Sequence, residues 1–193
     1  MMKKIFELHT AELHELTSNL EAFHEQVLAV ARHLKESYVK GGKVLIAGNG
    51  GSAAEAQHFS DEMVGRYKAD RRPYPAVALS ADGMVLTCIG NDYGFDEVFK
   101  RQVEALGNQG DVFIGLTTSG VSKNILLAAV AAREQGLTVI AFTGQKGPLT
   151  ALADLAIESP SGTGARIQEL HLHAIHLICE AFEPDNEADE ASA

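Results

Sequence analysis

The chain has 193 residues, 46% of them hydrophobic and 22% charged, enough to build one α/β-sized domain with a substantial core. Sixteen Lys and Arg against 26 Asp and Glu leave a net charge of −10, which excludes the basic surface that non-specific nucleic-acid binding requires. A small anionic substrate is still compatible, because a helix terminus and a few local donors outweigh a global charge. Trp is absent and aromatics are only 6%, which argues against stacking platforms for single strands. No segment approaches the roughly 18 uninterrupted apolar residues of a membrane span, and the first residues, Met1-Met-Lys-Lys-Ile-Phe6, lack a signal-peptide apolar region. The expectation is a cytoplasmic protein without membrane or nucleic-acid partners. Cys88 and Cys179 both lie in apolar contexts and read as buried free thiols of a reducing compartment.

Residues 3–40 contain neither Gly nor Pro, and apolar residues recur at three- and four-residue spacings from Ile5 to Leu34. This predicts two amphipathic helices, broken near Thr17-Ser18-Asn19 or in the 20–25 region, as a helical arm suited to packing against another subunit. Gly41-Gly42 ends the arm, and Lys43–Ala47 is a continuous apolar run of the kind a buried parallel strand shows. A turn at Asn49–Ser52 opens a helix over Ser52–Tyr67, with Ser52 as its expected N-cap. Further strands are expected at Ala76–Ser80, Asp111–Leu116, Leu137–Phe142 and Leu155–Glu158. Helices are expected at Gly83–Ile89, Phe95–Leu106, Lys123–Gln135, Pro148–Ala153 and Ala165–Phe182. A polar loop is expected at Gly90–Gly94, and the acidic segment 183–193 reads as a disordered tail. Alternating strands and helices predict a single domain, a three-layer α/β/α sandwich with a five-stranded, mostly parallel sheet, in which ligands bind at the carboxyl ends of the strands.

Two turns fall at those strand ends. Gly48-Asn49-Gly50-Gly51-Ser52 is glycine-rich, and Thr117-Thr118-Ser119-Gly120-Val121-Ser122 is rich in hydroxyls that donate to anionic oxygens. The first matches neither of the common nucleotide-loop patterns, but two such turns in one small α/β domain favour a sugar phosphate. On the helix after the first turn, His58 and Glu62 stand four residues apart and share a face. The last helix carries Gln168-Glu-Leu-His-Leu-His-Ala-Ile-His176, in which Gln168, Leu172 and His176 form one row and Glu169 and His173 another. Periodicity alone does not decide which of His171, His173 and His176 faces a site. Two helices offering nitrogen and oxygen donors suit a zinc-like ion with mixed coordination.

These motifs resemble the sugar isomerase (SIS) domain family, and within it the bacterial phosphoheptose isomerases. The resemblance is carried by Gly48-Asn-Gly-Gly-Ser-Ala-Ala-Glu-Ala-Gln-His-Phe59, Gly65-Arg-Tyr67 and Gly90-Asn-Asp-Tyr-Gly-Phe95. It extends to Gly110-Asp-Val-x-x-Gly-x-x-Thr-Ser-Gly120 and Arg166-Ile-Gln-Glu-x-His171, with His176 beyond. It implies the flavodoxin-like SIS fold and one Zn2+ per subunit held by His58, Glu62, Gln168 and His176. It further implies sugar contacts from Asn49, Gly50, Gly51, Asn91 and Asp92, and a phosphate held by Thr117, Thr118, Ser119 and Ser122, with Ser52 nearby and Arg66 adding charge. A homotetramer with sites between subunits is implied as well. In one place the chain departs from the usual family loop, Ser-Thr-Ser-Gly-Asn-Ser, by carrying Thr117 and Val121. The implied reaction interconverts sedoheptulose 7-phosphate and D-glycero-D-manno-heptose 7-phosphate through an enediol, with Glu62 as base and His176 as acid. The alternatives are an isomerase of another phosphosugar, or a non-catalytic relative of the DnaA initiator-associating type. That relative's pattern lacks the glutamate and final histidine that this chain has.

Overall fold

In the computed structural model, residues 2–184 are described; the expectation for 185–193 lies outside them. Two helices come first, α1 (Met2–Thr17) and α2 (Glu21–Val39), so of the two expected places the break takes the one that follows Thr17. Five strands follow: β1 (Val44–Gly48), β2 (Ala76–Ala78), β3 (Val112–Leu116), β4 (Thr138–Thr143) and β5 (Leu155–Glu158). Between and after them run α3 (Gly51–Val64), α4 (Gly83–Asp92), α5 (Lys100–Leu106), α6 (Lys123–Glu134), α7 (Pro148–Leu152) and α8 (Gly164–Ala181).

The sheet order is β2-β1-β3-β4-β5 and every pairing is parallel, so the expected mostly parallel sheet is wholly so. Successive side chains of a buried strand point to opposite faces, and β1 shows the consequence. Val44 and Ile46 join α2, α3 and α8 in one core, whereas Leu45 and Ala47 join α4, α5 and α6 in the other. The strand order reverses between β1 and β3, and that switch point is where an open α/β sheet leaves a crevice for a ligand. The glycine turn follows β1 and the hydroxyl loop follows β3, so both face that crevice.

Several local expectations shift. Gly90 does not break α4, which runs on to Asp92 with Tyr93 as its C-cap and ends before Gly94, whose φ of +92° favours glycine; Asn91 and Asp92 therefore sit in a helical last turn, not a loop. The expected helix Phe95–Leu106 is divided into a 3-10 turn at Phe95–Glu97 and α5. Cys179 is buried as expected, but Cys88 lies on the outer side of α4 and is exposed. The expected disordered tail starts too early: Glu183 is buried, because its carboxylate accepts the backbone N–H of Ala69 at 2.7 Å and faces Arg71.

Candidate active site

After β1 the chain turns through Gly50, which takes a φ of +57° and forms the N-cap of α3 without any side-chain cap. Ser52, expected at the cap, is instead the second residue of the helix and is buried. The cap thus falls two residues earlier than expected, and Gly48 lies so close to Ser52 that a Cβ at 48 would overlap its backbone.

His58 and Glu62, one turn apart on α3, meet His176 from α8. His58 Nε2 is 3.0 Å from His176 Nε2 and 3.6 Å from Glu62 Oε1, and one donor atom from each of the three residues lies within 4.8 Å of the others. Donor atoms at about 2.0–2.1 Å from a tetrahedral ion stand about 3.3 Å apart, so the two measured edges fit the donor set of a zinc-like centre. Behind His58, Asp61 Oδ1 lies 3.5 Å from Nδ1, where a carboxylate orients the ring and leaves Nε2 as the donor. The Tyr67 ring covers His176 with centroids 5.8 Å apart. Gln168, two turns before His176 on the same helical row, lies over Gly51 so closely that a methyl group there would collide with its amide.

The structure also separates the three histidines of α8. His176 reaches the site. His171 is wholly buried against Phe142, 4.0 Å from Glu55 Oε2. His173 turns to the α2 side, stacked on Phe23 and beside His24, and burial lowers its pKa. Burial also raises the Glu55 carboxyl to about 7 against the opposing Ser52 hydroxyl, and lowers His171 to about 4. Sequence reasoning missed this pair. The available signal was a glutamate on the same α3 face as Ser52, Ala56, Phe59 and Met63.

In the hydroxyl loop, Thr117 Oγ1 lies 3.1 Å from Ser122 Oγ and 3.3 Å from Ser119 Oγ, and accepts the Gly120 N–H at 3.3 Å. Ser122 is the N-cap of α6 but makes no capping hydrogen bond, so the loop and the start of a 12-residue helix meet at the crevice. The two turns are tied together by a reciprocal amide pair. Asn49 Nδ2 donates to Asn124 Oδ1 at 2.9 Å, and Asn124 Nδ2 donates to Asn49 Oδ1 at 2.8 Å. Asn124 is a second residue the sequence reading passed over. Thr118 is half-buried in the loop, and Val121 points outward. Asn91 and Asp92 are exposed, with Asn91 Nδ2 donating to Asp92 Oδ1 at 2.7 Å, and Arg66 is exposed just past α3. The Asn91–Asp92 contact is local to the end of α4.

The SIS domain model matches residues 9–144. The phosphoheptose isomerase of Geobacter sulfurreducens is 46% identical over 179 residues, covering 90% of this chain and 95% of that protein. That of Aquifex aeolicus is 44% identical over 184 residues, covering 95% and 96%. Among solved structures, the phosphoheptose isomerase of Neisseria gonorrhoeae superposes with a TM-score of 0.86 at 41% identity, over 94% of this chain and 98% of that one. The Francisella tularensis enzyme gives a TM-score of 0.87 at 36% identity, over 93% and 96%. The chain belongs to the SIS domain family, in its phosphoheptose isomerase branch.

Proposed function

We propose that the protein is an aldose–ketose isomerase that converts sedoheptulose 7-phosphate to D-glycero-D-manno-heptose 7-phosphate. The observation that carries this reading is the convergence of His58, Glu62 and His176 across the seam between α3 and α8. The names borne by relatives matching nearly the whole chain supply the substrate.

The reaction moves one proton between C1 and C2 and relocates another between their oxygens. Glu62 takes a proton from C1 of the ketose, giving an enediol, and returns it to C2. His176, across from it, protonates O2 and accepts the proton released from O1, so atoms and charge balance over the cycle. His58, Glu62 and His176, with Gln168 on the same row, would hold one Zn2+ per subunit; when bound, the ion polarises the carbonyl. Thr117, Thr118, Ser119 and Ser122 hold the phosphate with the start of α6. Asn49, Gly50, Gly51, Ser52, Asn91, Asp92 and Gln168 contact the sugar, and Arg66 adds positive charge. The exposed apolar side chains of α1 support assembly into a homotetramer with sites between subunits. The protein acts in the cytoplasm, at the first step of nucleotide-heptose synthesis for lipopolysaccharide core or a related surface glycan.

A coupled assay over a panel of ketose phosphates tests the reading. Turnover of sedoheptulose 7-phosphate that is lost with a chelator and restored by Zn2+ is expected. No turnover on any sugar phosphate by zinc-replete protein would contradict it.

A further inference from the structure

The last turn of α3 carries Glu62, and a helix end leaves its final carbonyls to be satisfied from outside. Here one side chain reaches two of them. Arg71 Nη2 donates to the Glu62 carbonyl at 2.7 Å and Nη1 to the Met63 carbonyl at 3.1 Å, placing a cation on the negative end of the helix. The Tyr74 N–H adds a second bond to Met63 O at 3.0 Å. The Arg71 side chain is only 3% exposed, so its charge needs a buried partner. That partner is Glu183, whose side chain is 7% exposed and whose Oε1 lies 3.6 Å from Arg71 Nε.

Glu183 does more than neutralise Arg71. Its Oε2 accepts the Ala69 N–H at 2.7 Å, and its Oε1 the Lys68 N–H at 3.4 Å. Lys68 is in turn paired with Glu180 near the end of α8. Phe182, next to Glu183, is buried edge-on against Tyr74 at 4.8 Å, and Tyr74 also lies beneath the Arg71 guanidinium at 5.1 Å. Segment 67–71 is thus pinned to the end of α8 in its middle. At one end it places Tyr67 over His176, and at the other it grips the carbonyl of Glu62.

We infer that segment 67–71 is a strap, anchored by Glu183, that fixes Glu62 and His176 relative to each other, and that Arg71 and Glu183 are positioning residues of the isomerase site. The inference rests on the proposed function, since it is the isomerase's base and acid that are held. Neither residue touches the reacting atoms. Each acts through the backbone of α3 or through the Tyr67 ring, so loss of the anchor loosens donor geometry without removing a donor.

The experiment compares the full chain with Glu183→Ala, Glu183→Gln and Arg71→Lys. Val103→Ala, in the opposite core, serves as a control for lost stability alone. Zn2+ affinity by chelator competition, kcat, KM and melting temperature are read for each. Loss of an outer-shell support lowers metal affinity or activity roughly 10- to 100-fold. Glu183→Ala is therefore expected to lose that much in Zn2+ affinity and kcat at unchanged KM, and Val103→Ala to melt earlier with both intact. Glu183→Gln keeps one acceptor oxygen but loses the second and the charge, and is expected to fall between. Arg71→Lys keeps the charge but not the two-pronged donor and is expected to follow Glu183→Ala. If Glu183→Ala fails to fold, the Gln and Lys variants carry the same comparison. Wild-type Zn2+ affinity and kcat in every strap variant that folds, whatever the melting temperature, would overturn the inference. A parent protein with neither tight Zn2+ binding nor turnover would overturn the isomerase reading itself, and the strap's role with it.

Discussion

Two ionisable groups of the α3–α8 seam, His58–Glu62–His176 and Glu55–His171, differ chiefly in burial. The first is half-buried, whereas Glu55 and His171 are buried. Burial penalises charge, so Glu55 rises to about 7 and His171 falls to about 4, and both are neutral between those values. The linkage signs are opposite. Folded Glu55 holds its proton more tightly than the unfolded chain does, so its contribution is greatest at low pH and is lost as pH rises from the ordinary carboxyl range toward 7. His171 resists protonation when folded, so its contribution is lost as pH falls from the ordinary imidazole range toward 4. Glu55→Gln removes only the first effect. Its stability relative to wild type is therefore expected to improve between pH 4.5 and pH 7, read as the difference in urea midpoints at the two ends. A constant difference across that range would contradict the burial account.

At the scale of elements, the glycine turn yields a paired prediction. A methyl at Gly48 would overlap the Ser52 backbone, which cannot move without opening α3, whereas one at Gly51 meets the mobile end of Gln168. Gly48→Ala is expected to destabilise the fold by on the order of 1–3 kcal/mol, as overpacking does. Gly51→Ala, at a helical position that favours Ala, is expected to keep its melting temperature and lose turnover as Gln168 is displaced. Equal melting losses in the two variants would contradict this. The same turn shows what the sequence made legible. The five apolar runs and the helices between them are local patterns, and they located every strand and the layer order. The His58–Glu62 spacing is local too, and its meeting with α8 followed from the family resemblance. The choice of His176 over His171 and His173 was not legible in the helical periodicity, because it depends on which face of α8 packs on α3; it too came from the resemblance. Nor were the Asn49–Asn124 pair and the Arg71–Glu183 anchor, whose partners lie 75 and 112 residues apart. Acidic composition made Glu183 look solvated, whereas a buried guanidinium and a backbone N–H hold it.

Across the whole molecule, α1 buries no residue within the chain and leaves Met2, Ile5, Phe6 and Leu8 exposed. Its contacts to α8 are polar, from Arg166 to the His9 carbonyl at 2.9 Å and from Thr163 to Glu12 at 3.1 Å. An apolar helix face of this kind is covered by another copy in the proposed tetramer. The double substitution Ile5→Lys, Phe6→Lys is expected to shift sedimentation from tetramer to smaller species, with the core's far-ultraviolet signal retained. A wild-type chain that sediments as a monomer would contradict the assembly. Everything else rests on the proposed chemistry, in which α3 and α8 present the Glu62 carboxylate and the His176 imidazole to one sugar. The direct measurement is sedoheptulose 7-phosphate turnover by zinc-replete wild type, Glu62→Gln and His176→Gln. General acid–base groups contribute about 10²- to 10⁴-fold, and a loss of that size is expected in each variant. Near-normal turnover by Glu62→Gln would contradict its assignment as the base.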